Sequence, residues 1–132
     1  MHELSVARRL VSIALYEAKR HNAKRVSQIR LVLGRLSLVR REQLVFWFRM
    51  LSEGTPLEGA ELLIEEEPGE VECPSCGYRG PIRIVDDPAW HISFPTLTCP
   101  RCGSTVRVVA GRDCYIKSLR LIRQQGTANK GP

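Results

Sequence analysis

The chain has no apolar run that approaches the ~20 residues needed to span a bilayer. Its first residues, Met-His-Glu-Leu, also lack the basic start and apolar stretch of a secretory signal. These two absences predict a cytoplasmic protein that has no membrane partner. In a reducing compartment, paired cysteines indicate metal or redox chemistry more often than disulfides.

Aromatic residues are scarce, at 6% of the chain, and none is interleaved with basic residues as a base-stacking platform requires. The net charge of +6 nevertheless suggests a nucleic-acid hypothesis. The basic residues are scattered along the chain, whereas acidic residues cluster between Glu65 and Glu72. We therefore expect no nucleic-acid partner, and the positive charge suits an acidic protein partner equally well.

The 132 residues are 43% apolar, which is enough for one modest core. Five segments have the periodicity of helices or strands: a helix over Leu4–Arg20, a strand over Gln28–Leu33, a helix over Arg41–Glu53, a strand over Ala60–Glu67 and a strand over Tyr115–Arg123. Asn22 and Gly54 are the predicted stops of the two helices. The predicted inward residues are Ile29, Leu31 and Leu33 of the first strand and Leu44, Trp47, Phe48 and Leu51 of the second helix. The predicted fold is α+β: a small three-stranded sheet packed by two helices, with an inserted four-cysteine, zinc-ribbon-like lobe. Residues 1–68 with 111–124 form the α+β domain, residues 69–110 the lobe, and residues 125–132 a disordered tail.

The sequence Cys-Pro-x-Cys-Gly occurs twice, at Cys73–Gly77 and Cys99–Gly103. Two intervening residues let both thiolates of a pair reach one ion, and the glycine lets backbone amides point back at the sulfurs. Four thiolates fill a tetrahedron and leave no position for water or substrate. Cys73, Cys76, Cys99 and Cys102 are therefore predicted to hold a structural zinc ion, and the chain is predicted not to be an enzyme. A rubredoxin-like iron site uses similar Cys-x-x-Cys turns, here called knuckles. The residue pattern therefore predicts a metal site, and zinc as the ion is inferred.

The N-terminus offers a second set of metal donors. The α-amine of Met1, the amide nitrogen of His2 and the imidazole of His2 can chelate one ion through adjacent rings, and Glu3 can add its amide nitrogen or its carboxylate. Nitrogen donors in a square-planar array suit Ni(II) or Cu(II). The alternative is that His2 is an ordinary terminal residue.

One further histidine is a weaker candidate. His91 lies between the two cysteine pairs, after Asp86-Asp87-Pro88. It would serve as an extra nickel donor if the lobe folds back toward the N-terminus. The alternative is a partly exposed loop imidazole.

Several segments resemble the HypA/HybF family of hydrogenase maturation nickel metallochaperones. The resemblance runs from residue 1 to about residue 122. It rests on the Met-His-Glu-Leu-Ser start, on Gly34-x-Leu36-Ser37, on Gly54–Ala60 with the pattern Gly-Thr-x-x-x-Gly-Ala, and on the two knuckles followed by Gly103-Ser104.

The resemblance implies a carrier that binds Ni(II) as cargo at the N-terminus, on His2 with Met1 and with Glu3 as a contributor, and that holds Zn(II) on the four cysteines. It implies delivery to the large-subunit precursor of [NiFe]-hydrogenase, with the nucleotide-hydrolysing partner HypB. Some relatives offer an acidic ligand where this chain has Arg40. We therefore expect nickel here to rely on amine, amide and imidazole nitrogens, with His91 as the extra donor. The alternative is a nucleic-acid-binding zinc-ribbon protein, which would show steeply salt-dependent binding.

Overall fold

The computed structural model describes residues 2–82, 84–87, 92–95 and 97–123. Its elements are helices α1 (His2–Arg20) and α2 (Arg41–Ser52), a short 3₁₀ helix (Arg35–Ser37), and strands β1 (Ala23–Gly34), β2 (Glu61–Glu67), β3 (Glu70–Glu72), β4 (Arg79–Pro81), β5 (Ile84–Asp87), β6 (Ile92–Pro95), β7 (Arg107–Ala110) and β8 (Cys114–Arg123). The chain divides into two compact units. The helical unit comprises residues up to 33, residues 39–65 and residues from 114 onward, and the cysteine unit comprises residues 34–38 and 66–113.

Helix α1 forms because its apolar residues recur every three or four positions and its charges suit its ends. Glu3 lies in the first turn and Lys19 and Arg20 in the last, where each complements the helix dipole. The helix ends at Arg20, and the predicted stop, Asn22, follows in a turn with a φ of 56°, a left-handed conformation that asparagine tolerates. The buried stripe consists of Ala7, Leu10, Val11, Ala14 and Ala18.

The helical unit contains a three-stranded sheet in the order β2-β1-β8, in which β1 and β8 are antiparallel. The predicted inward residues Ile29, Leu31 and Leu33 are all buried. Strand β1 begins before the predicted start at Gln28. Its first half pairs with β8 in an irregular register, near Arg25 and Gln28. Such irregularities shift the side chains between the two faces of the sheet and hide the two-residue period.

Helix α2 packs against α1 and completes the core of the helical unit. Leu44 and Phe48 are buried as predicted, and Trp47 and Leu51 pack against the same cluster while partly exposed. The helix ends at Ser52, just before the predicted stop at Gly54. The prediction of two helices on a three-stranded sheet is therefore confirmed.

The cysteine unit contains a second three-stranded sheet, in the order β4-β3-β7, and a two-stranded ladder of β5 and β6. All the pairings within these two sheets are antiparallel. The small core of the unit is made of Val71, Ile82, Val106 and two of the cysteines, with Leu36 packed against it. The individual strands of this lobe were not predicted, because runs of three or four residues are too short to show a period.

Within the described residues, no helix combines the length and the apolarity that a bilayer crossing requires. The predicted disordered tail, residues 125–132, lies outside the described residues.

Candidate metal centre

The sulfur atoms of Cys73, Cys76, Cys99 and Cys102 lie within 4.8 Å of one another. Sγ of Cys73 is 3.6 Å from Sγ of Cys102, and Sγ of Cys76 is 3.7 Å from Sγ of Cys99. A tetrahedral zinc ion with Zn–S bonds of about 2.3 Å requires sulfur–sulfur separations of roughly 3.8 Å. The four cysteines therefore fit a closed tetrathiolate site.

The two cysteine pairs adopt the same backbone fold. In the first knuckle the amide of Cys73 donates to the carbonyl of Tyr78 at 2.8 Å, and the amide of Gly77 donates to the carbonyl of Cys73 at 2.9 Å. In the second knuckle the amides of Cys99 and Gly103 make the corresponding bonds, at 2.7 and 2.9 Å. The repeated sequence thus produces a repeated turn, and each turn presents two sulfurs to one point.

The glycine of each knuckle is required by this geometry. Gly77 and Gly103 have φ values of 81° and 78°, in the left-handed region that side chains disfavour. In the second knuckle the tight turn also directs the amides of Arg101 and Cys102 at Sγ of Cys99, at 3.3 and 3.4 Å. These donors stabilise a thiolate at that position.

The four sulfurs have unequal surroundings. Cys73 and Cys99 are buried, whereas Cys76 and Cys102 are exposed, so one side of the cluster faces solvent. The Ser104 hydroxyl and then the Ser104 amide lower the pKa of Cys102 to about 6. The Tyr78 amide lowers the pKa of Cys76, but desolvation and the three neighbouring sulfurs outweigh it and raise that pKa to about 11. Of the two exposed thiols, Cys102 therefore ionises first. A divalent ion that binds all four sulfurs must displace the proton of Cys76.

A contact between side chains also joins the two knuckles. The guanidinium carbon of Arg101, from the second knuckle, lies 5.8 Å from the centre of the Tyr78 ring, which follows the first. This is a cation–π distance. The contact stabilises the turn that carries Cys99 and Cys102.

The N-terminal candidates lie in the helical unit. His2 is the first residue of α1, while Met1 and the His2 side chain lie outside what the structure describes. Helix α1 therefore begins within the predicted chelating sequence. The first four amides of a helix have no acceptor within the helix, so the His2 amide is not used by the helical ladder.

The Glu3 carboxylate is held by the start of α2. It accepts a hydrogen bond from the backbone amide of Arg40 at 2.9 Å, and Arg40 is the residue that caps α2. The Arg40 amide and then the amide of Glu3 itself lower the pKa of this carboxyl group. Glu3 therefore ties the first turn of α1 to the first turn of α2.

The remaining candidate, His91, lies outside the described residues. Ser104 was not predicted to be a partner of Cys102. Its position two residues after Cys102 was a signal that could have been used. It also did not identify the Arg40 amide as a partner of Glu3. No sequence signal could have found that contact, because a backbone donor is independent of residue type.

Comparison with known proteins agrees with this arrangement. The family model described as "Hydrogenase/urease nickel incorporation, metallochaperone, hypA" matches residues 1–121. A hydrogenase maturation factor HypA from Methanocella arvoryzae is 42% identical over 121 residues, which cover 92% of this chain and 98% of that protein. The factor of the same name from Methanopyrus kandleri is 40% identical, with 92% of this chain and 93% of that protein covered.

The fold is also similar to that of solved structures. The solution structure of the Ni metallochaperone HypA from Helicobacter pylori matches with a TM-score of 0.67 at 23% identity. The match covers 94% of this chain and all of that one. At this identity the likeness concerns the fold alone.

Proposed function

The chain belongs to the HypA family of nickel metallochaperones for hydrogenase maturation, and from that premise we propose that it binds Ni(II) at its N-terminus. The donors are the α-amine of Met1 and the amide and imidazole nitrogens of His2. The chain then delivers nickel as cargo to the large-subunit precursor of [NiFe]-hydrogenase, in the cytoplasm and with HypB as partner. The family is one of metallochaperones, and the proposed role includes no catalysis by this chain.

One observation carries the proposal: the family match begins at residue 1 and runs through both cysteine pairs to residue 121. The helix geometry supports the nickel part. A nickel-bound amide must lose its proton, and an amide at the start of α1 gives up no helical hydrogen bond when it does so. The partial positive charge at a helix N-terminus also favours the resulting amide anion.

Glu3 contributes to this proposed site chiefly by position. Its carboxylate is bonded to the Arg40 amide, so a ligand role for that oxygen would compete with the bond. The bond instead limits the motion of the first turn of α1, from which the nickel donors extend. His91 remains the proposed additional donor.

The four cysteines are proposed to bind zinc permanently. A closed shell of four thiolates exchanges slowly and does not suit a cargo that must be released, whereas an exposed chelate at a chain terminus does. Zinc then stabilises the cysteine unit, and nickel occupies the helical unit.

Calorimetry with nickel tests the N-terminal site directly. We expect His2→Ala, and a chain extended by residues before Met1, to lose most of the nickel affinity. The matched control is His21→Ala, which removes an exposed histidine at the other end of α1. Native-like affinity in both altered chains would contradict the proposed site.

A second measurement separates the client proteins. Purified [NiFe]-hydrogenase precursor and HypB are mixed with the nickel-loaded chain, and metal transfer to the precursor is followed. Transfer should require His2 and should not occur to a hydrogenase that already holds its metal. If nickel reaches the precursor equally fast from His2→Ala, the delivery role is wrong.

A further inference from the structure

Strand β8 has an open edge. In the described part of the chain the sheet order is β2-β1-β8, so β8 pairs with β1 on one side and with no strand on the other. In an antiparallel sheet every second residue of an edge strand directs its N–H and C=O away from the sheet. The outer edge of β8 therefore offers hydrogen-bonding groups to an added strand.

An apolar groove lies along this edge on its helix side. It has a volume of about 400 Å³ and lies between α1 and β8. Its apolar lining is Ile13 from α1 and Ile116, Leu119 and Leu121 from β8, and the side chains or backbone of Glu17, His21, Lys117 and Ser118 line the rest. Ile13 is 43% exposed, so its side chain is accessible from the groove.

A cationic cavity lies along the same edge on the open face of the sheet. It has a volume of about 570 Å³ and is lined by Gln28 and Arg30 of β1 and by Ser118 and Arg120 of β8. Lys117, on the same face, pairs with Glu65 at 3.2 Å, and Gln28 bonds Glu61. Among the described residues, by contrast, no carboxylate pairs with Arg30 or Arg120.

We propose that the free edge of β8 binds an extended segment of a partner protein in which apolar and acidic side chains alternate. Successive side chains of a strand point to opposite faces. A strand added to β8 would place one set in the apolar groove beside Ile13 and the other set against Arg30 and Arg120. Ser118, Leu119 and Leu121 line both cavities, so one added strand can reach both.

The charges on β8 select against two other occupants. A second copy paired through the same edge would bring Lys117, Arg120 and Arg123 of one chain close to those of the other, and like charges across strands are destabilising. The segment 124–132 of the chain itself contains no acidic residue and only one apolar residue, Ala128.

The test uses the full chain and the fluorescent peptide acetyl-Asp-Ile-Glu-Val-Asp-Val-Glu-Ser amide. We expect saturable binding that weakens with added salt, and slower hydrogen exchange at amides between Ser118 and Ile122. Arg30→Glu and Arg120→Glu should each weaken binding about tenfold or more, while nickel affinity stays unchanged. The matched control is Arg8→Glu, an exposed arginine of α1 that lines neither cavity.

The peptide also tests backbone pairing without any change to the protein. N-methylation of one alternate set of its amides should abolish binding, and N-methylation of the other set should leave it intact, because only one set faces β8. Equal binding by both methylated peptides, or equal binding to Arg30→Glu, would overturn the proposal. It would also fail if the chain alone formed dimers in sedimentation with the same β8 amides protected, since a second copy would then occupy the edge.

Discussion

Among the residues that the structure describes, fourteen buried ones form the apolar cluster of the helical unit, whereas the cluster of the cysteine unit has five, of which Cys73 and Cys99 are ligand candidates. The helical unit has large side chains such as Phe48 and Leu10 at full burial, each of which contributes roughly 1.5–3 kcal/mol. Among the described residues, the buried cluster of the cysteine unit has no side chain larger than Ile82. We therefore expect packing to stabilise the helical unit and the proposed zinc ion to contribute more to the cysteine unit.

This difference fits the two metals of the proposed function. An ion that replaces a core must stay bound, because its loss unfolds the unit that holds it. An ion held at the end of a helix whose core is already complete can leave without such a cost. We therefore expect zinc to be resident and nickel to be mobile, and the following changes test this contrast from the largest expected effect to the smallest.

The largest effect is expected from Cys99→Ser. Structural zinc supplies about 10–16 kcal/mol of apparent binding free energy in zinc-finger peptides, so loss of one thiolate should remove the order of the cysteine unit. Hydrogen exchange should show lost protection in β3 and β7 and retained protection in α1 and β1. Cys114→Ala is the control, since Cys114 is buried in the helical unit and should keep full zinc stoichiometry. Simultaneous melting of both units would refute the division of roles.

The converse change is Phe48→Ala. Phe48 is fully buried in α2, and its truncation should lower the free energy of unfolding of the helical unit by about 3–5 kcal/mol. Urea denaturation followed by helical circular dichroism measures this, and zinc content should not change. Phe46→Ala, a half-exposed neighbour on the same helix, should cost less than about 1 kcal/mol. A loss of zinc from the Phe48 variant would show that the ion site depends on the helical core.

A smaller effect is expected from Ser104→Ala. The Ser104 hydroxyl helps to lower the pKa of Cys102 to about 6. Cys102 is therefore ionised above that pH and takes up a proton below it, so zinc binding weakens as the pH falls. Removal of the hydroxyl raises this pKa, and zinc affinity should fall about 10–100-fold, as for other groups that hydrogen-bond a ligand. The pH at which zinc is lost should rise.

A zinc-sensitive dye in an acid titration measures that pH. Ser75→Ala is the matched control, because Ser75 is an exposed serine in the first knuckle. If the two serine variants release zinc at the same pH, the hydroxyl of Ser104 has no role at the metal centre.

The smallest effect is expected from Glu3→Gln. The pKa of Glu3 is lowered in the folded chain, so its stabilisation is present at neutral pH and is lost as the pH falls through that lowered value. Because the group is partly exposed, we expect a loss of less than about 1 kcal/mol at neutral pH and none at low pH. The control is Glu66→Gln, an exposed acid of β2 that lies at no helix terminus. An equal loss at both pH values would contradict the role of the ionised carboxylate.

The sequence was sufficient for those parts of the fold that have a clear period or a special residue. The helix stripe up to Ala18, the stop at Asn22 and the alternation of Ile29, Leu31 and Leu33 all appear in the structure. The repeated Cys-Pro-x-Cys-Gly spacing indicated that four sulfurs would meet, and they lie within 4.8 Å. Each of these features depends on residues close together in the chain.

Other features depend on distant parts of the chain and could not be predicted. The bond between Glu3 and the Arg40 amide joins residues 37 positions apart and uses a backbone donor. The two cavities beside β8 arise from the order of strands in the sheet, which the periodicity of single strands does not determine. The short strands of the cysteine unit follow from the knuckles and from pairing, since three-residue segments have almost no intrinsic preference.

The short segment 34–38 has a practical consequence for the isolation or transfer of the cysteine unit. The amides of Gly34 and Leu36 donate to the carbonyls of Asp113 and Gly111, and Leu36 packs on the same small core as the cysteines. Gly34 lies so close to Gly111 that a Cβ atom on it would overlap that carbonyl. A continuous peptide of residues 66–113 would lack these contacts with residues 34–38. A hybrid protein that exchanges the cysteine unit must therefore include both segments, 34–38 and 66–113.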